Sequence, residues 1–164
     1  MNLYLMRHAI AAEADEKTDD SQRPLTEKGR EKLGKIVRNL EKLGQEFDVI
    51  LSSPYLRARQ TAGVVADGLN VRPKNLIETE NLTPFAFANQ LVDEINAREP
   101  VEHLLLVGHD PFLSQLIGML VAGDASLNID MKKAGLCKLS IAQLTHGRCA
   151  TLEWLLTPAQ LAVL

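Results

Sequence analysis

Four successive apolar residues, Leu104-Leu105-Leu106-Val107, are cut off abruptly by Gly108-His109-Asp110-Pro111. A strand apolar on both faces has to be covered on both, and that places it inside a parallel sheet with helices above and below. Shorter runs of the same kind occur at Asn2 to Met6 and at Val49-Ile50-Leu51. Between them the apolar period changes. Leu33, Ile36, Val37, Leu40 and Leu43 recur at threes and fours, which predicts one buried helical face after an N-cap at Thr26 and before a stop at Gly44. Ala58, Ala62, Val65 and Leu69 predict a second helix, with Ser53 as cap and Pro54 at its first position. Phe85 to Arg98 predicts a third, and the stretch through Phe112, Leu116, Ile117 and Leu120 a fourth.

The segment from Ala11 to Gln22 is small, acidic and aperiodic, hence a loop; Leu76-Ile77 is a short strand, and Gly135 to Ile141 and Cys149 to Trp154 are two late ones. Strands alternating with helices across long connections predict a three-layer α/β/α sandwich around a largely parallel sheet. With 164 residues and no linker, repeat or low-complexity tract, a single domain over 1–164 is expected.

Composition removes several classes of function. The formal charge is −3 and aromatics make up 4% of the chain, so neither a basic stripe nor a base-stacking platform points to nucleic acid. Met1 to Met6 runs directly into Arg7 and His8, and Leu116 to Ala122 falls well short of the ~20 residues of a membrane span. The expectation is a soluble cytoplasmic protein with no membrane partner. Cys137 and Cys149 have no second pair to complete a metal site and are expected as buried reduced thiols in strands.

Three polar clusters fall where strands give way: Arg7-His8, Ser52-Ser53-Pro54 leading to Arg57, and Gly108-His109-Asp110. Ligands of open α/β sheets bind in the crevice beyond the carboxyl ends of the strands. Two arginines and two histidines gathered there form a cationic pocket rather than a metal site, since guanidinium repels a divalent ion but grips a tetrahedral oxyanion with paired donors. Helix starts near Pro54 and Pro111 add unpaired N–H groups and partial positive charge. The guest that fits is a phosphoryl group. No cysteine lies beside these clusters and no Gly-rich loop surrounds a lysine, which leaves His8 as the nucleophile. A neutral imidazole, favoured by neighbouring Arg7 and Arg57, can attack phosphorus and be freed by water. Arg7, Arg57 and His109 would neutralise the equatorial oxygens of the transition state.

Leu5-Met6-Arg7-His8-Ala9, Arg23-Pro24-Leu25-Thr26-Glu27-Lys28-Gly29, Ser52-Ser53-Pro54-Tyr55-Leu56-Arg57-Ala58-Arg59-Gln60-Thr61-Ala62 and Val107-Gly108-His109-Asp110-Pro111 together resemble the histidine phosphatase superfamily, and their spacing covers nearly the whole chain. The branch they are most similar to is that of the small SixA-type protein-phosphohistidine phosphatases. The resemblance implies a phosphoglycerate mutase-like fold and no metal or organic cofactor. It makes His8 the phosphorylated histidine, Arg7 and Arg57 phosphate-binding arginines and His109 the second pocket histidine. The sequence departs from the pattern at Ala9, where the superfamily usually has glycine and a methyl would crowd the phosphate loop.

Two carboxylates compete for the role of acid. Asp110 matches the proton donor of acid-phosphatase relatives, although Asp before Pro is also an ordinary helix cap; Glu80 lies where mutase relatives carry their acid. A phosphohistidine substrate asks less of such a group, because imidazole leaves more readily than an alkoxide. The reading is therefore a metal-independent hydrolase of phosphohistidine on a signalling or phosphotransfer protein. A small-molecule phosphomonoesterase or mutase-like enzyme is the alternative, and a non-catalytic phosphate-binding module a further one. Arg59 is expected on the helix surface, and His103 and His146 fit no motif.

Overall fold

In the computed structural model, which describes residues 1–164, six strands form one sheet in the order β3-β2-β4-β1-β5-β6. They are β1 (Asn2–Arg7), β2 (Val49–Ser52), β3 (Leu76–Glu78), β4 (His103–Gly108), β5 (Leu136–Ile141) and β6 (Ala150–Leu156). The helices are α1 (Glu27–Lys42), α2 (Leu56–Gly68), α3 (Ala88–Asn96), α4 (Phe112–Ala122) and the short α5 (Pro158–Leu161). Four strands are mutually parallel; β5 and β6 add antiparallel pairs beside β1.

Alternation along the strands explains the layers. Leu3 and Leu5 of β1, with Leu104 and Leu106 of β4, face a core built on α3 and α4. Tyr4, Met6, Leu105 and Val107 face the opposite core, built on α1, α2 and α5. One crossover hand accounts for this division. The chain steps outward from β1 to β2 and β3 through α1 and α2, then reverses through α3 to insert β4 between β1 and β2. That reversal places the ends of β1 and β4 side by side, with Arg7 opposite Gly108. It is the crevice in which such sheets take their ligands.

Several boundaries move relative to expectation. Thr26 does cap α1, its hydroxyl accepting the Gly29 N–H at 2.9 Å, and Gly44 just beyond the helix has φ +69°. Ser53 does not cap α2, which starts at Leu56 with no side-chain cap. The third helix begins at Ala88 rather than Phe85, because Thr83 to Phe87 are taken up by turns. Cys137 is buried in β5, but Cys149 precedes β6 and is only half-buried. No helix is long and apolar enough to cross a membrane.

Candidate active site

The backbone ladder continues past the strand ends and fixes the pocket floor. The His8 N–H donates to the Gly108 carbonyl at 3.0 Å, and the Ser53 N–H to the Val107 carbonyl at 3.0 Å. Arg7 and His8 from β1, Ser53 beyond β2 and His109 beyond β4 are thereby held in adjacent positions. Arg57 arrives from the first turn of α2. Four of these residues are buried: His8, Ser53, Arg57 and His109 are 6%, 0%, 4% and 2% exposed.

His8 is held in a single tautomer by its two neighbours. Its Nδ1 lies 2.8 Å from the Ala9 carbonyl, which can only accept, so Nδ1 carries the proton. The Arg57 Nε–H donates to Nε2 at 3.2 Å, so that nitrogen presents its lone pair. The His8 ring is 5.2 Å from that of His109, centroid to centroid. Ser53 Oγ accepts the Tyr55 N–H at 3.2 Å and is hydrogen-bonded to His109 Nε2 at 2.8 Å. His109 Nδ1 is buried and has no protein partner. Arg7 donates through Nη1 to the Met131 carbonyl at 2.9 Å, while its buried Nε is likewise without a protein partner. Donors left over in a buried cationic site are what a tetrahedral oxyanion satisfies.

Both rings are neutral. Burial lowers His8 to about 4; the Ala9 carbonyl opposes this, and the charges of Arg57, Arg7 and Lys133 reinforce it. His109 is lowered to about 3, by burial first and then by His8 and Arg57, with the Asp20 carboxylate opposing. A neutral imidazole with a free lone pair is a competent nucleophile. The remaining cysteine question also resolves, since burial pushes the Cys137 thiol up to about 12, far from a reactive thiolate.

Neither carboxylate proposed as an acid is hydrogen-bonded or ion-paired to Arg7, His8, Arg57 or His109. Asp110 Oδ1 accepts the Ser114 N–H at 3.1 Å and the Ser114 hydroxyl at 2.6 Å, which commits it to the start of α4. Glu80 is exposed and makes no hydrogen bond or ion pair with Arg7, His8, Arg57 or His109. The methyl of Ala9 packs with Leu25, Ala58 and Ala62 in the α1–α2 core, so it does not crowd the pocket. The Ala9 N–H donates to Thr61 Oγ1 at 3.1 Å, and the Thr61 hydroxyl to the Arg57 carbonyl at 2.7 Å, tying the end of β1 to the first turn of α2. Arg59 pairs with Glu78 on the surface. His103 is half-buried and opens β4, and His146 is exposed and pairs with Asp93.

One carboxylate that the sequence reading left in a featureless loop does reach the site. Asp20, on a short 3₁₀ turn (Asp20–Gln22), accepts from Arg57 Nη2 through Oδ2 at 3.1 Å. Its backbone carbonyl accepts from Arg57 Nη1 at 2.6 Å, and its Oδ1 from Arg23 Nε at 2.8 Å. Phe85 and Phe87, on the connection from β3 to α3, are 83% and 69% exposed. Because α3 returns the chain from the end of β3 to the start of β4, both aromatics lie at the pocket end of the sheet. A cleft of about 940 Å³ opens at the other end of the sheet beside Met1, Asp48, Val101 and Glu102, and neither His8 nor His109 lines it. No group of three or more His, Cys, Asp or Glu side chains has the arrangement of a metal site.

The family model of the histidine phosphatase superfamily (branch 1) matches residues 3–89, from β1 into α3, including Arg7, His8 and Arg57. The chain belongs to this superfamily. His109 lies outside that stretch, and the pairing of β4 with β1 is what carries it to the pocket. The histidine phosphatase is 32% identical to the phosphohistidine phosphatase SixA of Escherichia coli over 126 residues, 76% of each chain. It is 35% identical to an uncharacterised protein of Picosynechococcus over 142 residues, 85% of this chain and 84% of the other. Its fold is similar to that of the protein histidine phosphatase SixA complexed with tungstate, with a TM-score of 0.83, 27% identity and coverage of 98% and 99% of the two chains. It is a SixA-type member of the superfamily and a phosphatase.

Proposed function

We propose that this phosphatase hydrolyses phosphohistidine on a signalling or phosphotransfer protein, through a phosphoryl group carried transiently on His8. The carrying observation is the His8 imidazole itself: neutral, proton on Nδ1, and lone pair on Nε2 directed at the Arg57 guanidinium. In the first step Nε2 attacks phosphorus, the P–N bond of the substrate breaks, and its electron pair returns to the departing ring. In the second, water attacks phospho-His8, the new P–N bond breaks, and inorganic phosphate is released. Arg7, Arg57 and His109 are the groups that take the charge on the equatorial oxygens. Similarity to a SixA structure in complex with tungstate, a tetrahedral oxyanion, supports that use of the pocket.

Two further features favour phosphohistidine over a phosphoester. One oxygen of Asp110 is taken by Ser114 and Glu80 is exposed, and an alkoxide leaving group needs a placed acid more than an imidazole does. The exposed pair Phe85 and Phe87 at the pocket end gives an apolar patch suited to a macromolecular surface.

The test is incubation with a phosphohistidine-bearing domain in EDTA. Loss of the substrate phosphoryl group, transient acid-labile label on the enzyme, and absence of both in His8→Ala are expected. Equal turnover by His8→Ala would overturn the reading.

A further inference from the structure

Asp20 makes unusual use of its place at the mouth. One carboxylate oxygen is held by Arg23, whose Nε and Nη2 both lie 2.8 Å from Oδ1. The other reaches Arg57 Nη2 at 3.1 Å, while Arg57 Nε is given to His8. Nε and Nη2 form one edge of the guanidinium, the edge that grips an oxyanion with two parallel bonds. The side chain of Asp20 is 52% exposed and that of Arg57 only 5%, so Asp20 meets the buried guanidinium from the solvent side. The hydrogen bonds and charges of Arg23 and Arg57 hold its carboxyl below the usual range despite partial burial, so it remains an anion.

A phosphoryl group seated on Arg57 therefore lies beside a fixed negative charge. For inorganic phosphate or a phosphomonoester that is plain repulsion. For phosphohistidine it is not, because the ring nitrogen remote from phosphorus gains an N–H, and with it a positive charge, when the ring is protonated. Resting on the phosphohistidine reading above, we infer that Asp20 is a specificity-determining residue that accepts this remote N–H and selects phosphohistidine over phosphate esters. The chemistry balances without a placed acid. When the P–N bond of the protonated ring breaks, the bond's electron pair goes to the departing nitrogen and cancels the ring's charge, and neutral imidazole leaves with its remote proton still in place. Asp20 stabilises the protonated, reactive form of the substrate. It also explains how a pocket with Asp110 tied to Ser114 can release its leaving group.

The experiment compares wild type, Asp20→Asn and Asp20→Glu on a phosphohistidine peptide and on an aryl phosphate, with inorganic phosphate as competitive inhibitor. Asparagine keeps the size and removes the charge. It is expected to lower kcat/KM for phosphohistidine about tenfold, a factor set by one charge-assisted hydrogen bond. Aryl phosphate turnover stays level or rises, and phosphate inhibits about threefold more tightly, as loss of one partly exposed like charge implies. Asp20→Glu restores part of the preference.

Equal loss on both substrates would reduce Asp20 to a prop for Arg57 and overturn the inference, as would an unchanged preference. If wild type itself leaves phosphohistidine intact, the functional reading falls. If wild type cleaves it and Asp20→Asn keeps the same ratio of rates, only the role given to Asp20 falls.

Discussion

The Nε–H of Arg57 is 3.2 Å from Nε2 of His8, so an arginine that would grip the phosphoryl group also marks the lone pair that attacks it. The two bonds cannot persist together with attack, and phosphoryl oxygens must take over the guanidinium edge as the imidazole is released. Arg57 is able to do this because the backbone carbonyl of Asp20 accepts its Nη1–H, and because its own carbonyl is tied through Thr61 to Ala9.

Nitrogen NMR of the imidazole rings should find both His8 and His109 neutral at pH 5.5, with the Nδ1–H tautomer at His8. Their titration midpoints should fall near about 4 and about 3. In the unfolded chain both titrate at about 6.5, so unfolding takes up protons between those limits. Their contribution to stability is fully present above about pH 6.5 and is lost as pH falls toward the folded values. Each group steepens the dependence by at most about 1.4 kcal/mol per pH unit. Urea midpoints at a series of pH values should fall less steeply for His109→Asn than for wild type. Parallel curves would contradict the assignment.

Gly29→Ala is expected to destabilise the protein by about 1–3 kcal/mol. A Cβ at this position would run into the carbonyl oxygen of Ile10, backbone that has no free end to swing away. Because Ile10 follows directly on His8 and Ala9, the same change should also lower activity in the folded fraction. Thermal unfolding and kcat measured below the transition separate the two effects.

Replacing Phe85 and Phe87 together by serine is expected to raise KM for a phosphohistidine-bearing protein about tenfold, a loss typical of exposed aromatic contacts at an interface. Both rings are solvent-exposed, so stability should change by less than about 0.5 kcal/mol. Turnover of an aryl phosphate should not change. A parallel loss on the small substrate would show that these residues shape the pocket rather than the docking of its substrate.

Much of the arrangement is legible in the sequence because apolar runs end at polar clusters, and strand ends are where an α/β sheet collects its chemistry. Arg7, His8, Arg57 and His109 are found this way, as are the helix cap at Thr26 and the short strand at Leu76. What escapes such reading depends on contacts between distant parts of the chain. Ser53 reads as a helix cap from its neighbours, yet its hydroxyl is turned to His109, 56 residues on. Asp20 sits in an aperiodic acidic stretch that gives no sign of Arg57, 37 residues away. Ala9 reads as an obstruction because sequence does not say which way a methyl points, and here it points into the core. Asp110 reads as either cap or acid, and its neighbours in sequence give no sign that one oxygen is taken by Ser114 in the first turn of α4.

The segment after His8 is pinned where it departs and where it returns: the Thr26 N–H bonds the Ile10 carbonyl at 3.0 Å, and Ala11 bridges Leu25. Residues 12 to 24 thus form a detachable brim on a fixed crucible. Exchanges along that brim that spare Asp20 and its hold on Arg57 can retune which molecules are admitted while the nucleophile and its guanidinium escort stay where they are. Kinship in the reacting groups, on this plan, leaves appetite for substrate free to wander among descendants.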